Sequence, residues 1–494
     1  MKKLLVTGAI LALGVVFVEF SVKVDAQKGT SALFTFRDTP AARPSAEKSS
    51  LASVKEADIS IDLTQLSRGT TPWLRIPLFD GKTYQAVNTS TEMRDLTDLT
   101  WRGKIREGKF DGDVVLTFKN GYVAGIIYAP SAVYEIVPKG DRQILVQLDQ
   151  GLFPDCAGGI DGEPAKAVTE TAAPEATIDS GDRIDVLVLY STPVKTTLGG
   201  DAQAQTFAQS AIDITNTTYI NSKIRQRVRL ANAQETTVAE TGSLGTELTA
   251  LRANANVGTI RNSFNADLVA MLSNSSDNCG IGNLMGSIPG NSANGFTVTS
   301  RTCAVGNLSF PHELGHNMGS HHNPENGGTP TFPYGFGHYI HGNYRTVMSY
   351  VDPCTSGCVR RPYFSNPNII FNGVPTGIAT RDNARAINGT ADSIANYRYS
   401  GSNVRMLNLN GGESLTRGVN RTITWDTDNI IGNIRIEYSR DETTTWTTLV
   451  ESTPNDGSEV IRIPAKVARG FRLKIVSIDD AGVSDTSTTN LVIR

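Results

Sequence analysis

The segment from Phe310 to Pro324, FPHELGHNMGSHHNP, constrains this chain more than any other stretch. It contains the pattern H-E-x-x-H-x-x-G-x-x-H, carried by His312, Glu313, His316, Gly319 and His322. On a helix, His312 and His316 lie one turn apart on the same face, so both imidazoles can reach one metal ion. Glu313 is offset from His312 by roughly 100°, which places its carboxyl group beside the ion without making it a ligand.

Gly319 and His322 extend the pattern into a complete set of ligands. Gly319 can adopt a positive φ, end the helix and turn the chain back, so that His322 arrives as the third ligand. Three protein nitrogens leave the fourth position of a zinc ion open, as in catalytic rather than structural sites. The alternative is that these histidines are surface or capping residues of an ordinary helix. All six histidines of the chain lie between His312 and His341, which argues against that alternative.

With this signature the chain resembles the metzincin zinc endopeptidases. A metzincin also has a Met-turn downstream, and TVMSY supplies Met348. The resemblance implies an α/β catalytic domain with a twisted mixed sheet plus helices, and Met348 as an apolar floor beneath the ligands. It implies one Zn²⁺, which lowers the pKa of water and polarises the scissile carbonyl, with Glu313 as general base. His321 and His338 are nearby alternatives, and only spacing favours His322 over His321 as third ligand.

Tyr350 and the regions around the motif point to different metzincin subfamilies. Tyr350 follows Met348 by two residues, as in astacin- and serralysin-like members, where this tyrosine can ligate zinc at rest and hydrogen-bond the tetrahedral intermediate. Ordinary packing below the site is the alternative for Tyr350. Asn323, after the third histidine, matches none of the usual subfamily choices. A β-rich region ahead of the motif and cysteines around it resemble reprolysins (adamalysins), so we favour a reprolysin-like secreted bacterial-type metalloprotease.

The N-terminus predicts export. MKK is a charged region, LLVTGAILALGVVFVEF is apolar, and Val24-Asp25-Ala26 offers small residues for cleavage after Ala26. An uncleaved membrane anchor is the alternative because the apolar run nearly reaches spanning length, but Glu19 interrupts it. We therefore predict a secreted protein with no stable membrane anchor. The net charge of −3 gives no basic surface for nucleic acid.

Export makes the five cysteines informative, because disulfides persist outside the cytosol. Four of them flank the histidine motif and can pair in three ways. Among these pairings we favour Cys279–Cys303 and Cys354–Cys358.

Cys156 is left over, in FPDCAGG, far upstream of the motif and just before the exposed linker GEPAKAVTETAAPEATIDSGD. A thiolate at the open zinc position would block catalysis, as the cysteine switch does in some metzincin precursors. FPDCAGG matches the best-known switch motifs only in Cys156 itself. A free thiol and an intermolecular disulfide are the alternatives. We treat Cys156 as a candidate zinc ligand of a latent precursor only.

At 494 residues the chain is too long for one domain, and its patterns divide it into four parts. These are a signal peptide at 1–26, a β-rich propeptide with linker at 27–180, a metallopeptidase domain at 181–400 and a C-terminal domain at 401–494. Residues 27 to about 60 are mixed and polar, and we place the propeptide strands between Trp73 and Leu152. Asn120-Gly121 and Lys139-Gly140-Asp141 are the expected hairpin turns.

The catalytic part reads as alternating buried strands and helices. RIDVLVLYS from Arg183 predicts a covered strand, Ala202 to Ser222 a long helix, and GTELTALRANANVGTIRNSFNA a second helix. The Gly-rich stretch at Gly280–Leu284 is expected to be the edge strand that pairs with an extended protein or peptide substrate. Pro311 predicts a short metal-binding helix that starts near Ser309.

From about Ser402 the sequence has short alternating segments between Asn, Gly and Asp turns, which predicts an all-β sandwich of the fibronectin or immunoglobulin type. We expect Trp425, Tyr438 and Trp446 to belong to its core rather than to a ligand platform.

The whole pattern predicts a secreted zinc endopeptidase that is made as a latent precursor. One alternative is a zinc-binding pseudo-enzyme that acts in adhesion or binding through its C-terminal domain. Glu313, which zinc binding does not require, argues against it. An enzyme that attacks a non-peptide amide is a second alternative, and the sequence does not exclude it. No sequence feature supports a Ca²⁺ ion, although none excludes one.

Overall fold

The computed structural model describes residues 31–42, 52–66, 71–95, 97–161, 183–352, 354, 358–398, 400–428, 430, 432–443, 445–466 and 468–494. The predicted signal peptide at 1–26 and the predicted linker at 162–182 lie outside these ranges. The described residues from Ala32 to Arg494 belong to one compact unit. No helix in these ranges is long and apolar enough to cross a membrane.

The N-terminal part is a ten-stranded sheet in the order β1-β3-β10-β9-β8-β7-β6-β5-β4, with β2 paired to β3. Its strands are β1 (Phe34–Phe36), β2 (Ala41–Ala42), β3 (Ser53–Ile61), β4 (Trp73–Pro77), β5 (Thr83–Asp95), β6 (Asp98–Glu107), β7 (Phe110–Lys119), β8 (Tyr122–Tyr128), β9 (Val133–Lys139) and β10 (Arg142–Leu148). Neighbouring strands pair antiparallel.

Both predicted hairpin turns are confirmed. Asn120 and Gly121 join β7 to β8 with φ of 53° and 82°, the positive values that a tight hairpin turn needs. Gly140, between β9 and β10, has a φ of 64°. The mixed, polar stretch up to about residue 60 contains strands β1, β2 and β3, ahead of the β-rich region predicted from Trp73. Strand β3 pairs with β1 and β2 and also with the distant β10, and a distant partner leaves little trace in a polar local pattern.

The catalytic part contains a six-stranded mixed sheet in the order β11-β15-β16-β14-β12-β13. Its strands are β11 (Gly159–Asp161), β12 (Arg183–Tyr190), β13 (Arg227–Glu235), β14 (Leu268–Ser273), β15 (Gly280–Leu284) and β16 (Phe296–Ser300). The helices are α1 (Thr192–Leu198), α2 (Asp201–Asn221), α3 (Leu244–Ala253), α4 (Ala255–Ser263), α5 (Arg301–Ala304), α6 (Ser309–Asn317) and α7 (Asn383–Ala395). Two small sheets follow α6. One has three strands, β17 (Tyr339–Ile340), β18 (Tyr344–Arg345) and β19 (Val359–Arg360), and the other has two, β20 (Ile370–Phe371) and β21 (Val374–Pro375).

Three features of this part differ from the sequence-based expectation. The second long helix is two helices, because the Asn254 side chain accepts hydrogen bonds from the backbone of Asn256 and Val257 and starts α4 anew. Helix α5 lies between β16 and α6. Strand β15 is antiparallel to β16, but β11 pairs with its other side, so β15 does not form the edge of the sheet.

Helix α6, which carries the histidine motif, begins at Ser309 and is short, as Pro311 predicts. Pro311 lies in the first turn, where backbone N–H groups have no partner within the helix. The missing N–H of proline therefore costs no helical hydrogen bond there. Leu308 precedes the helix with a φ of 57°. The two favoured disulfides, Cys279–Cys303 and Cys354–Cys358, are both formed.

The C-terminal part contains β22 (Asn403–Met406), β23 (Ser414–Leu415), β24 (Asn420–Asp428), β25 (Ile434–Ser439), β26 (Thr447–Thr453), β27 (Ser458–Arg462), β28 (Ala468–Ser477), β29 (Ser484–Thr486) and β30 (Leu491–Ile493). They form one sheet in the order β22-β24-β27 and another in the order β23-β30-β28-β25-β26, with β29 on β28. Trp425 is buried in the shared apolar cluster and Tyr438 packs against it. Trp446 is partly exposed under the Lys474 ammonium, so its assignment to the core is wrong. The fibronectin- or immunoglobulin-type sandwich stays a prediction.

Helix α2 joins the N-terminal sheet to the catalytic part through a buried carboxylate. Asp213 is fully buried and accepts hydrogen bonds from the Thr100 and Thr117 hydroxyls at 2.6 and 2.5 Å. Arg94, on the same sheet, forms an ion pair with Asp213 at 3.2 Å. Because a buried carboxylate needs such partners, the N-terminal sheet holds α2 by more than apolar contact.

Candidate metal centre

Three imidazoles converge below the sheet. His312 and His316 project from α6, and the chain after the helix brings back His322. The His322 Nε2 lies 3.1 Å from the Nε2 of His312 and 3.1 Å from that of His316. Gly319 has a φ of 78°, the left-handed conformation that the return of the chain requires. The structure therefore brings the three predicted ligands together.

The second nitrogen of each ring faces a backbone carbonyl. His312 Nδ1 lies 2.9 Å from Val347 O, and His316 Nδ1 lies 2.9 Å from Ser320 O. A carbonyl can only accept, so each Nδ1 carries the proton and each Nε2 presents a lone pair to the centre. Three lone pairs this close repel one another unless a cation lies among them.

The arrangement fits zinc. Zinc–nitrogen bonds of about 2.0–2.1 Å in a tetrahedral site place ligand nitrogens roughly 3.3–3.4 Å apart, close to the spacing found here. Carbonyl partners on the outer nitrogens are the usual support of metal-binding histidines. Burial lowers the pKa of His316 to about 3 and also depresses the pKa values of His312 and His322, which keeps the rings neutral. A neutral imidazole is the form that binds a metal.

Glu313 lies beside this centre with a carboxyl group that has no hydrogen-bond partner at standard distances within the described chain. It is fully buried against β15, where a Cβ on Gly280 would overlap its carboxylate. Burial raises the pKa of Glu313 to about 8, while the nearby Cys156 thiol and the positive charge of Arg360 oppose the rise. A dication next to it would favour the ionised form. An unpaired buried carboxylate next to a metal centre can take up a proton.

His321 and His322 have different surroundings. The His321 Nε2 accepts the backbone N–H of Thr331 at 3.3 Å, and its ring packs against Phe336. The His322 ring instead packs against Tyr350, with the ring centroids 4.1 Å apart and the planes tilted by 38°, and it faces the other two histidines. His338 packs against Tyr339 and is not part of this group of three.

We expect His322→Ala to weaken metal binding by more than about 100-fold in the processed protein, since even residues that only support a ligand contribute 10–100-fold. His321→Ala should keep about one metal ion per chain. The measurement is metal content after dialysis, with thermal unfolding to show that both variants are folded. Metal loss in His321→Ala but not in His322→Ala would reverse the assignment.

Met348 and Tyr350 both lie at the centre. Met348 is fully buried beneath α6, where an added Cβ on Gly315 would come within 2.8 Å of its Sδ. Tyr350 donates a hydrogen bond from its hydroxyl to the Cys156 carbonyl at 2.5 Å. Burial raises the pKa of Tyr350, so the phenol stays protonated and able to donate.

Cys156 lies at the metal centre although it is far from the motif in sequence. Its Sγ, a His312 nitrogen and a Glu313 oxygen lie within 4.8 Å of one another. It is the free cysteine of the described chain and is buried. Burial and the charge of Glu313 raise the pKa of its thiol. A bound dication would act in the opposite direction.

The segment around Cys156 lies along β15. The Cys279 N–H donates to Asp155 O at 3.1 Å, and the Ala157 N–H donates to Gly280 O at 2.9 Å. Strand β11 then continues parallel to β15, with Gly159 opposite Gly282. The N-terminal part therefore occupies the backbone groups that were expected to bind a substrate.

Arg345 and Arg360, two buried arginines on either side of the Met-turn, were not among the predicted site residues. Their positive charge is the one signal the sequence offers, and an arginine near a strand is too common to be specific.

Comparison with known proteins gives consistent results. The family model described as metallo-peptidase family M12B, reprolysin-like, matches residues 205–323. A peptidyl-Asp metalloendopeptidase of Xanthomonas campestris pv. campestris is 31% identical over 349 residues, which cover 65% of this chain and 80% of that protein. One of Stenotrophomonas maltophilia (strain R551-3) is 30% identical over 347 residues, covering 64% of this chain and 81% of that protein.

A solved structure described as a chaperone-substrate complex is similar over 60% of this chain and 40% of its own, at 20% identity. Its TM-score of 0.36 is too low to support a comparison of folds.

Proposed function

Because the chain belongs to the reprolysin-like metallopeptidases and is a metalloendopeptidase, we propose that it cuts proteins next to aspartyl residues with one zinc ion. The observation that carries the proposal is the convergence of three histidine Nε2 atoms, with two separations of 3.1 Å, beside the unpaired carboxyl group of Glu313. Both relatives are named as peptidyl-Asp metalloendopeptidases, which supports an acidic residue next to the scissile bond.

The residues of the site have distinct tasks in this proposal. His312, His316 and His322 would hold the ion as neutral ligands. When bound, zinc supplies Lewis acidity that polarises the scissile carbonyl and lowers the pKa of water. Glu313 accepts the proton of the attacking water and passes it to the leaving amine. The Tyr350 hydroxyl, now bonded to Cys156 O, becomes free to donate to the oxygen of the substrate carbonyl.

We also propose that the chain is made as a latent precursor. The position of the Cys156 thiol beside His312 and Glu313 supports this, because a thiolate is a strong zinc ligand that would fill the open position. Strand β11 on β15 supports it independently, since a substrate pairing with β15 would need the same backbone groups. Removal of the N-terminal part would free both the fourth zinc position and the backbone groups of β15.

Export belongs to the same proposal. The two disulfides support it, because such bonds persist in oxidising surroundings. The precursor would then consist of a signal peptide at 1–26, a propeptide at 27–180, a catalytic domain at 181–400 and a C-terminal domain at 401–494.

The full-length chain is expressed, secreted and processed, and the processed protein is then tested. The substrates are quenched fluorescent peptides that differ only in one residue, which is Asp, Asn or Ala. We expect cleavage next to Asp, at a higher kcat/KM than for the other two peptides. A zinc chelator should abolish it and added Zn²⁺ should restore it. The cut is located by mass spectrometry.

The possible failures are distinguishable. Absence of any chelator-sensitive cleavage, in these peptides and in a denatured protein, would refute the peptidase. Cleavage that ignores the Asp-to-Asn change would refute only the acidic specificity.

A further inference from the structure

Arg345 and Arg360 lie side by side under the metal centre. Strands β18 and β19 pair parallel with Arg345 opposite Arg360, so both side chains leave the same face. Each residue is 2% exposed. Arg345 Nη1 and Arg360 Nη2 donate to the same acceptor, the carbonyl of Ser349, at 2.9 and 3.1 Å. This shared acceptor brings two positive charges together in the interior.

The pair lacks a negative partner. Within the described residues, no carboxylate lies at ion-pair distance from either guanidinium. Their other acceptors are neutral: Arg360 Nη1 bonds Asn307 O at 2.9 Å, and Arg345 Nη2 lies 3.4 Å from Gln150 O. The Nε atoms of both arginines have no partner. Burying an unpaired charge costs several kcal/mol. The binding of an anion beside the two guanidinium groups would therefore be strongly favourable.

The pair is next to the catalytic residues. Ser349, which holds both guanidiniums, lies between Met348 and Tyr350. Asn307, which holds Arg360, leads directly into α6. A carboxylate bound by the pair would therefore belong to a residue close to the scissile bond.

Gln150, from the N-terminal part, covers the pair. It is 5% exposed, and its Oε1 accepts the backbone N–H of Arg360 at 2.8 Å. Its Nε2 donates to Gly306 O at 2.8 Å, and its carbonyl faces Arg345. Removal of the N-terminal part would take Gln150 away. It would thereby open a space beside both guanidiniums.

We propose that Arg345 and Arg360, uncovered when Gln150 leaves, bind the carboxylate of the substrate residue beside the scissile bond. This rests on the proposed function, since it assigns residues to the acidic specificity. Guanidinium groups suit the task because their planar donors match a carboxylate and stay charged when buried. The competing explanation is a structural clamp that only holds the Ser349 carbonyl.

The test distinguishes binding of the substrate carboxylate by the positive charge from a purely structural role of the arginines. Arg360→Gln and Arg360→Lys both disturb the bonds to Ser349 and Asn307, but only the lysine variant keeps the charge. The readout is the ratio of kcat/KM for the Asp peptide to that for the Asn peptide, measured on processed protein. We expect Arg360→Gln to lower this ratio by about 10- to 100-fold, the size of one or two charged hydrogen bonds. Arg360→Lys should keep most of it.

Arg361→Gln is the matched control. The Arg361 guanidinium lies over the ring of Phe371, which stays in the processed protein, and within the described residues it has no hydrogen bond to Ser349 or Asn307. The Asp-to-Asn ratio should not change in this variant. Should Arg360→Gln fail to fold, the variants Arg345→Gln and Arg345→Lys give the same comparison.

Equal losses on both peptides in the glutamine and lysine variants, with the ratio unchanged, would overturn the proposal in favour of a clamp. In that case an Asp preference in the parent would still stand, and with it the proposed function. No Asp preference in the parent would instead refute the proposed specificity itself.

Discussion

Glu313→Gln should lower kcat by about 10²- to 10⁴-fold, the usual contribution of a general base. Glutamine has the same shape but cannot take the proton from water. Both oxygens of Glu313 lack hydrogen-bond partners within the described chain, so the substitution removes no bond that holds the site together. The three histidine ligands are untouched, and the metal content should stay at about one ion per chain.

The measurement combines kcat on the Asp peptide with metal content of the same sample. Glu451→Gln is the control, because Glu451 is an exposed carboxylate on β26. It should change neither quantity. A Glu313→Gln variant that keeps its metal and more than about a tenth of its kcat would show that another group takes the proton.

Cys156→Ser should make the full-length precursor active before its N-terminal part is removed. A serine hydroxyl is a far weaker zinc ligand than a thiolate, so the open position would become accessible to water. We expect hydrolysis of a short peptide to rise at least about tenfold over the parent precursor, which corresponds to only 1.4 kcal/mol. Strand β11 still lies along β15, so hydrolysis of large proteins should rise less.

Pro154→Ala is the matched control, since it changes the same segment without removing a ligand. Its precursor should stay latent. Reactivity of Cys156 with a thiol reagent provides a readout independent of activity, because the other four cysteines are in disulfides. In the parent precursor, metal removal should expose the thiol to reaction. A Cys156→Ser precursor as latent as its parent, together with a parent thiol that reacts equally before and after metal removal, would refute the switch.

Prediction from the sequence succeeded best where the interactions are local. The alignment of His312 with His316 follows from helical spacing, and the return at Gly319 follows from the freedom of glycine to adopt a positive φ. Pro311 predicted the start of α6 correctly, and Asn120-Gly121 predicted a hairpin turn. Each depends on a few neighbouring residues.

Asn254 splits the expected helix by capping α4, a local signal that the pattern of hydrophobic residues does not show. The other failures occurred where distant residues matter: Trp446 is partly exposed, with the Lys474 ammonium over its ring. Strand β3 pairs along most of its length with the distant β10. None of these partners can be read from the local pattern of hydrophobic residues.

The amino-acid sequence by itself determined the chemistry of the site, because the identity and spacing of its ligands are fixed within a single helix and the turn that follows. Only the tertiary structure decided what surrounds that chemistry. It placed Cys156 and Gln150 against the catalytic part, brought the ring of His322 rather than that of His321 to the other two histidines, and set Arg345 beside Arg360. These are contacts between residues far apart in the chain. Their energies come from burial and pairing across elements, which local spacing does not encode.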